Sequence, residues 1–553
     1  MTPPGAGAAT NRRHFLGLLG LGAVAVSGGG VLAACGEKSA NTGSTTPLDR
    51  INAIMPRQKA LSGLPQPDIA GTRPVADAYT RYPPSLIDAV TDKPGRSGKT
   101  IKAMTPAWGS APPGLGQNQY YEAVNAELGI QVDFSIQDGV TYADKLNAIL
   151  AARDVPDLLC VPSWETAKIP KLTDAVKALF EDITDHLKGG AVDRYPMLAT
   201  LPTESWRWGV WAERLYAIPN PGGGFPFGLF YRKDLLDAKG LTAPKTIDEL
   251  YRVLKEVTKP DQGVWGANDI YAMVQMFYKV PGSRTGWRLK PDGTPEHKYE
   301  TAEFRQATEF TARLHRDGLI HPDSLANRGS NDKQLMQSGK IYFLRDGFGV
   351  WKEMTREQRK ITPGFKLAPV YNFSATGGDP LVHWEYQPIS YTFIKKGLGR
   401  DRVEEILRVV NWCSAPYGTR EWETREFGAE GRHFTRTAAG PARNELGFKE
   451  IANQYFFISG RSPINEPAPD LPDYLPELMD YSNKMAPFIE KDPWGGIKID
   501  WPAAYASNTV PIEDQINDVV RGRRPLTDLD GIVKEWRSRG GDEARDLLGK
   551  ALS

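Results

Sequence analysis

The sequence predicts an α/β protein in two lobes, and three observations carry that prediction. Residues 101–161 read as β-α-β-α-β. Short strands joined by helical crossovers require a largely parallel sheet covered by helices on both faces, with ligands beyond the carboxyl ends of the strands. With 553 residues the chain also exceeds the ~250–300 at which a single hydrophobic core stops growing.

The elements follow in order. Arg12-Arg13 before Phe15-Leu16 resembles a twin-arginine export signal, and Leu32-Ala33-Ala34-Cys35 resembles a lipobox, at which a chain is lipidated on cysteine and cut. The apolar run between them, residues 16–26, has only 11 residues before Gly28-Gly29-Gly30. That is too short to span the ~30 Å of a membrane's hydrocarbon core. Residues 1–34 are therefore expected to be a signal peptide and Cys35 the lipidated start, holding the chain at the outer face of a bacterial cell membrane. Residues 35–98, rich in Pro, Gly, Ser, Thr and Asp, are expected to be a flexible tether. Beyond them, 101–104 reads as a strand. Residues 118–128 read as a helix with Tyr121, Val124 and Leu128 on one face and Gly129 at its end. Ile130, Val132, Phe134 and Ile136 alternate as a half-buried strand does, Leu146, Ile149 and Leu150 mark a second helix, and 158–161 is an apolar strand. Thr246-Ile247-Asp248-Glu249 carries a helix-capping pattern, and Leu529, Ile532, Val533 and Trp536 share one helix face.

Composition excludes several functions. The formal net charge is +1, and Arg12 and Arg13 are the only Lys, Arg, Asp or Glu residues before Cys35, so neither the precursor nor the cut chain has the basic field that nucleic acid requires. Cys160 and Cys413 sit in apolar runs and are expected to be buried thiols rather than a disulfide. No HExxH, paired CxxC, EF-hand loop or G-x-S-x-G elbow is present, and the seven histidines lack metal-ligand spacing, so no metal and no cofactor is expected. Gly95-Arg96-Ser97-Gly98-Lys99-Thr100 imitates a phosphate loop but precedes a strand instead of following one.

A family resemblance emerges after residue 228. Tyr231-Arg232-Lys233-Asp234-Leu235, then Gly240-Leu241, then Pro244-Lys245-Thr246-Ile247-Asp248-Glu249-Leu250, resembles the matching block of family 1 extracellular solute-binding proteins, the carbohydrate-type receptors of bacterial ABC importers. Asp154-Val155-Pro156-Asp157, Gly339-Lys340-Ile341 with Trp351, and residues 427–435 agree in order, and the likeness covers about residues 99–545. The glycine-rich bend at 222–224 and the long insertion at 264–298 depart from shorter members. The resemblance implies a two-lobed periplasmic-binding-protein-like fold of type II, with discontinuous lobes, a hinge and an interlobe cleft. Residues 99–226 plus 389–455 would form one lobe and 227–388 plus 456–553 the other. It further implies a monomer that captures a sugar, oligosaccharide or glycoside and delivers it to ABC permease subunits, with no catalytic residue.

Sugar rings offer apolar CH faces to aromatic side chains and hydroxyls to polar groups, and the chain holds 14 Trp, 21 Tyr and 20 Phe. The expected ligand contacts lie in loops at the lobe junction: Trp108, Trp164 and Glu165, Asn220, Phe225 and Phe227, Asp346 and Trp351, and the cluster His383, Trp384, Glu385 and Tyr386. Trp206, Trp208 and Trp211 are as readily assigned to packing and are left out of the expected site. Two alternatives stand beside the receptor: an exported carbohydrate-processing enzyme using Glu165 or Glu385, and a ligand-free scaffold or signalling lipoprotein on the same fold.

Overall fold

The structure is a computed structural model describing residues 43–552, apart from 109, 223, 283–285, 327–330 and 385–386. The export signal and Cys35 lie outside the described residues. Two sheets organise the chain. In the first, β1 (Ile101–Ala107), α1 (Gln119–Leu128), β2 (Val132–Asp138), α2 (Tyr142–Ala152) and β3 (Leu158–Pro162) form the expected alternation. The Asn118 side chain accepts the Tyr121 amide at 3.1 Å, and Gly129 closes α1 in the left-handed conformation. β4 (Ala217–Asn220) completes the first pass.

The chain then leaves for the second sheet. It forms β5 (Gly228–Arg232), helix α3 (Ile247–Val257), β6 (Trp265–Ala267), the hairpin β7 (Trp287–Leu289) and β8 (Pro295–His297), then β9 (Ile341–Asp346) and β10 (Leu367–Pro369). Thr246 caps α3 as expected, its hydroxyl accepting the Glu249 amide at 3.1 Å. β10, β5, β9 and β6 lie side by side in that order. β11 (Ser390–Ile394) then returns to the first sheet and inserts between β3 and β4, antiparallel to both, giving the order β2-β1-β3-β11-β4. Helix α4 (Arg400–Cys413) follows on the first sheet.

A third passage occurs later than expected. Residues 456–460, assigned by sequence to the second lobe, stay on the first sheet, because Asn220 donates to the Phe456 carbonyl and Ser390 and Thr392 donate to that of Phe457. Only afterwards does helix α5 (Tyr474–Met485) join the second sheet, where Leu475 and Met479 pack with Phe230, Leu344 and Trp351.

The expected tether is corrected from residue 44 onward. Ser44–Thr45 pairs with Ile499–Asp500, Ile51 is 1 % exposed, and the Arg57 amide donates to Gly189. Val75 and Ala78 are buried with Phe230 and Leu344 of the second sheet, and Thr72 bonds Asn483 on α5. The segment then crosses to the first sheet. There Glu421 accepts the amides of Ala89 (3.0 Å) and Val90 (2.7 Å), and Glu405 accepts those of Arg96 (2.6 Å) and Ser97 (2.7 Å). Composition predicted mobility, but scattered apolar residues and two buried carboxylates supply the burial and the backbone partners that an ordered segment needs. The phosphate-loop imitation has a physical basis: its amides do cradle an anion, and that anion is the Glu405 carboxylate. Burial pushes the Glu405 carboxyl up, but the amides, the Ser97 hydroxyl and Arg402 outweigh it and hold the group at about 2.

Cys160 and Cys413 are buried free thiols, as expected. Among the described residues no helix is long and apolar enough to cross a membrane. Burial also lowers the imidazoles of His186, His297, His315, His321 and His383, the last to about 4.

Two predictions follow from these buried groups. Glu405→Gln should cost about 2–4 kcal/mol in denaturant unfolding, from the loss of charge-assisted bonds and the half-buried Arg402 left behind. It should also raise amide exchange in 94–100; an unchanged unfolding curve would remove the anchoring role. A histidine held below its unfolded value of 6.5 binds fewer protons when folded, so its contribution is complete above 6.5 and is lost as pH falls toward about 4. Glu405 adds a second loss as pH falls from 4.5 toward about 2. Melting temperature should therefore be flat above pH 7 and decline steadily from pH 6.5 to 4; a rise on acidification would contradict the assignment.

Candidate functional site

The strand ends place the expected residues unequally. Trp108 follows β1 and Trp164 follows β3, 51 % and 46 % exposed, with ring centroids 5.8 Å apart. Phe457, which the sequence did not single out, joins them with its ring 6.0 Å from Trp108. A Cβ added at Gly139 would overlap the Trp108 indole, so glycine is required where that ring lies down. Phe227 is half-buried, with the Arg345 guanidinium 4.5 Å from its centre and the His383 ring 6.4 Å away. Asp346 ends β9, half-buried, and accepts the Gly347 amide at 2.7 Å. Trp384 is half-buried and edge-on to Phe225 at 5.0 Å, and Phe225 packs in turn against Phe348 and Tyr481. Glu385 and Tyr386 lie outside the described residues.

Three expectations are corrected. Glu165 turns inward, 3 % exposed, and pairs with Lys168 at 3.0 Å, so it fixes the turn after β3 instead of meeting a solute or serving as a free acid. Asn220 is wholly buried and donates to the Phe456 carbonyl at 3.1 Å, a use of its amide that holds the late return of the chain. Trp351 is 2 % exposed, packed between Phe230 and Tyr474, because the helix Gly349–Gln358 directs it into the core of the second sheet.

The geometry instead assembles a cavity of about 840 Å³ that the sequence left aside. It is lined by the segment 166–173 with Trp208 and Trp211, by residues within 272–282, 286 and 297–299, and by residues within 492–513 with Trp536. Phe227 and His383 are the two expected residues that line it. The His383 Nε2 lies 3.2 Å from the Val280 carbonyl, and its ring occupies the space a side chain at Gly282 would need. Lys498 donates to the Trp208 carbonyl at 2.7 Å, with its ammonium 4.3 Å from the centre of the Trp211 ring and 5.0 Å from that of Tyr391. Trp501 and Tyr505 lie 4.7 Å apart, tilted by 33°, and His297 stacks on Trp536 at 4.4 Å. Pro493-Trp494-Gly495-Gly496 and Trp501-Pro502 were the available signal, tryptophans bracketed by residues that forbid regular periodicity.

Rings of this size suit the flat apolar faces of a cyclic guest, and the interspersed lysines and carboxylates can direct its polar groups. Among the described residues no cluster of three or more His, Cys, Asp or Glu is arranged to hold a metal ion.

Comparison with known proteins places this architecture. Residues 110–394 match the family described as bacterial extracellular solute-binding protein. The polygalacturonan/rhamnogalacturonan-binding protein YtcQ of Bacillus subtilis (strain 168) is 25 % identical over 220 residues, 38 % of this chain and 43 % of that one. The melibiose/raffinose/stachyose-binding protein MelE of the same organism is 20 % identical over 274 residues, 47 % of this chain and 58 % of that one. The chain thus spans about half the length of these curated relatives. The HMO-binding, ABC-transporter-associated solute-binding protein of Bifidobacterium longum infantis superposes with a TM-score of 0.62 at 16 % identity, covering 82 % of this chain and 99 % of that one. The alginate-binding protein AlgQ2, solved without calcium ion, gives 0.58 at 16 % identity, covering 84 % and 99 %. These two likenesses show the two-lobed fold of solute-binding proteins, and with the match over residues 110–394 the chain belongs to the bacterial extracellular solute-binding proteins.

Proposed function

We propose that this chain is the extracytoplasmic receptor of an ABC importer, capturing a sugar, oligosaccharide or glycoside and handing it to a membrane permease. The observation that carries the reading is the aromatic cavity, whose walls come from the neighbourhoods of two different sheets. A guest touching both walls binds the closed arrangement better than the open one, and that differential affinity is the whole driving force for closure. No covalent step is needed. The saccharides named for YtcQ and MelE support the ligand class. The lipobox at Cys35, with the relative named lipoprotein LipO, supports a lipid anchor that holds the receptor beside its permease, and the arginine pair supports twin-arginine export.

Thermal unfolding against a saccharide panel tests the reading, because a ligand binding only the native state raises stability by RT ln(1 + [L]/Kd). At least one member of a broad panel should raise the melting temperature. Trp501→Ala should weaken that ligand by about 1–3 kcal/mol while leaving the unliganded melting temperature nearly unchanged, since Trp501 is half-buried on the cavity wall. Silence across the panel would favour a scaffold that has lost its guest.

A further inference from the structure

The stretch from β6 to Lys298 lines the cavity through Gln275, Pro281, Gly282, Gly286, His297 and Lys298. It contains the hairpin of β7 and β8 and ends on Lys298, whose side chain lines the cavity. We propose that the guest is an anionic saccharide, a sugar bearing a carboxylate or a sulfate, and that its negative group seats on the Lys298 ammonium; this rests on the reading of the chain as a saccharide receptor.

The three lysines of the cavity differ in their engagement. Lys171 is exposed. Lys498 already bonds the Trp208 carbonyl and is surrounded by rings. Lys298 stands on neither footing. Its stem passes Gly286, where an added Cβ would lie 3.3 Å from Cδ, and its nitrogen sits 5.4 Å from the centre of the Tyr299 ring. The carboxylate that acts on it is that of Glu513, exposed and on the same cavity lining. Burial pulls its pKa down, the mark of a cation removed from water.

The surroundings fit an incoming anion. Burial keeps His297 and His383 neutral near pH 7, so they are free of competing charge. Of the three carboxylates on the walls, Asp492 accepts the Trp494 amide and Asp500 the Ser44 hydroxyl, so both serve loop and strand structure, while exposed Glu513 is the one that acts on Lys298. Trp501 and Tyr505, both half-buried, line the same cavity and offer ring surface to the sugar's CH groups. A charge-assisted bond in such a site is roughly twice as strong as a neutral one, because little water competes for it.

Calorimetric titration of the purified protein tests the proposal with digalacturonate, a sulfated galactose disaccharide, and the neutral disaccharides galactobiose, maltose and xylobiose. At least one anionic ligand should bind about 10- to 100-fold more tightly than any neutral one, with affinity falling as salt rises. Which anionic ligand binds separates carboxylate from sulfate. Lys298→Met should abolish the preference and Lys298→Arg should keep it, with matching melting curves showing both variants folded. Equal affinity for charged and neutral ligands, or a preference that survives Lys298→Met, would overturn the anionic assignment and leave the receptor standing. Binding of none of the five would overturn the receptor reading itself.

Discussion

The return of β11 to the first sheet is the constraint on which the rest depends. Ser390 pairs with Pro162 on one side and with Asn220 on the other, so a strand formed late in the chain is wedged between two formed early. The second sheet is made entirely between β4 and β11, and the chain must leave and re-enter at adjacent points. The Ile389 amide donates to Asn220 at 2.8 Å, and the Ser163 amide donates to Ile389 at 3.1 Å. Departure and return are thereby hydrogen-bonded at their roots. The two sheets are thus joined at this point by a few connecting residues while each keeps its own ladder.

The amino-terminal segment adds to that restraint. It touches the second sheet through Val75, Ala78 and Thr72, then the first through the carboxylates of Glu421 and Glu405. Each carboxylate spends its acceptors on backbone amides that no strand would otherwise satisfy. An irregular segment without its own ladder can be ordered only by such borrowed partners, which explains why two glutamates on helices of the first sheet are buried at all.

What the sequence reveals and what it hides divide along a physical line. Periodicity, capping and turn residues act over a few positions, so the alternation from Ile101 to Pro162, the cap at Thr246 and the buried thiols were readable. Side-chain direction within a loop or at a helix start depends on distant partners. Glu165 and Trp351 have the right residue types at plausible positions, yet both are buried, Glu165 beneath the exposed Lys168 and Trp351 between Phe230 and Tyr474. The fate of residues 44–98 was hidden for the same reason: composition reports what a segment cannot bury by itself, not what Glu405 and Glu421 offer it from more than 300 positions away.

The cavity is the extreme case of this non-locality. Its walls draw on 166–173, Trp208 and Trp211, 272–282 with 286 and 297–299, 492–513 and Trp536, stretches with no shared motif. The tryptophans of Pro493-Trp494-Gly495-Gly496 and Trp501-Pro502 hint at it locally, but the surface itself exists only once β11 has brought the second half of the chain back to the first. Recognition divides its labour accordingly. The sheets and crossings bring the lining segments together. The hairpin of β7 and β8 and the loop residues Trp494 and Trp501 stand outside both ladders, whereas β6, at the start of 264–298, is itself a strand of the second sheet. Wall residues outside the ladders can differ while the sheets stay the same, which is the physical condition for one architecture to serve many solutes.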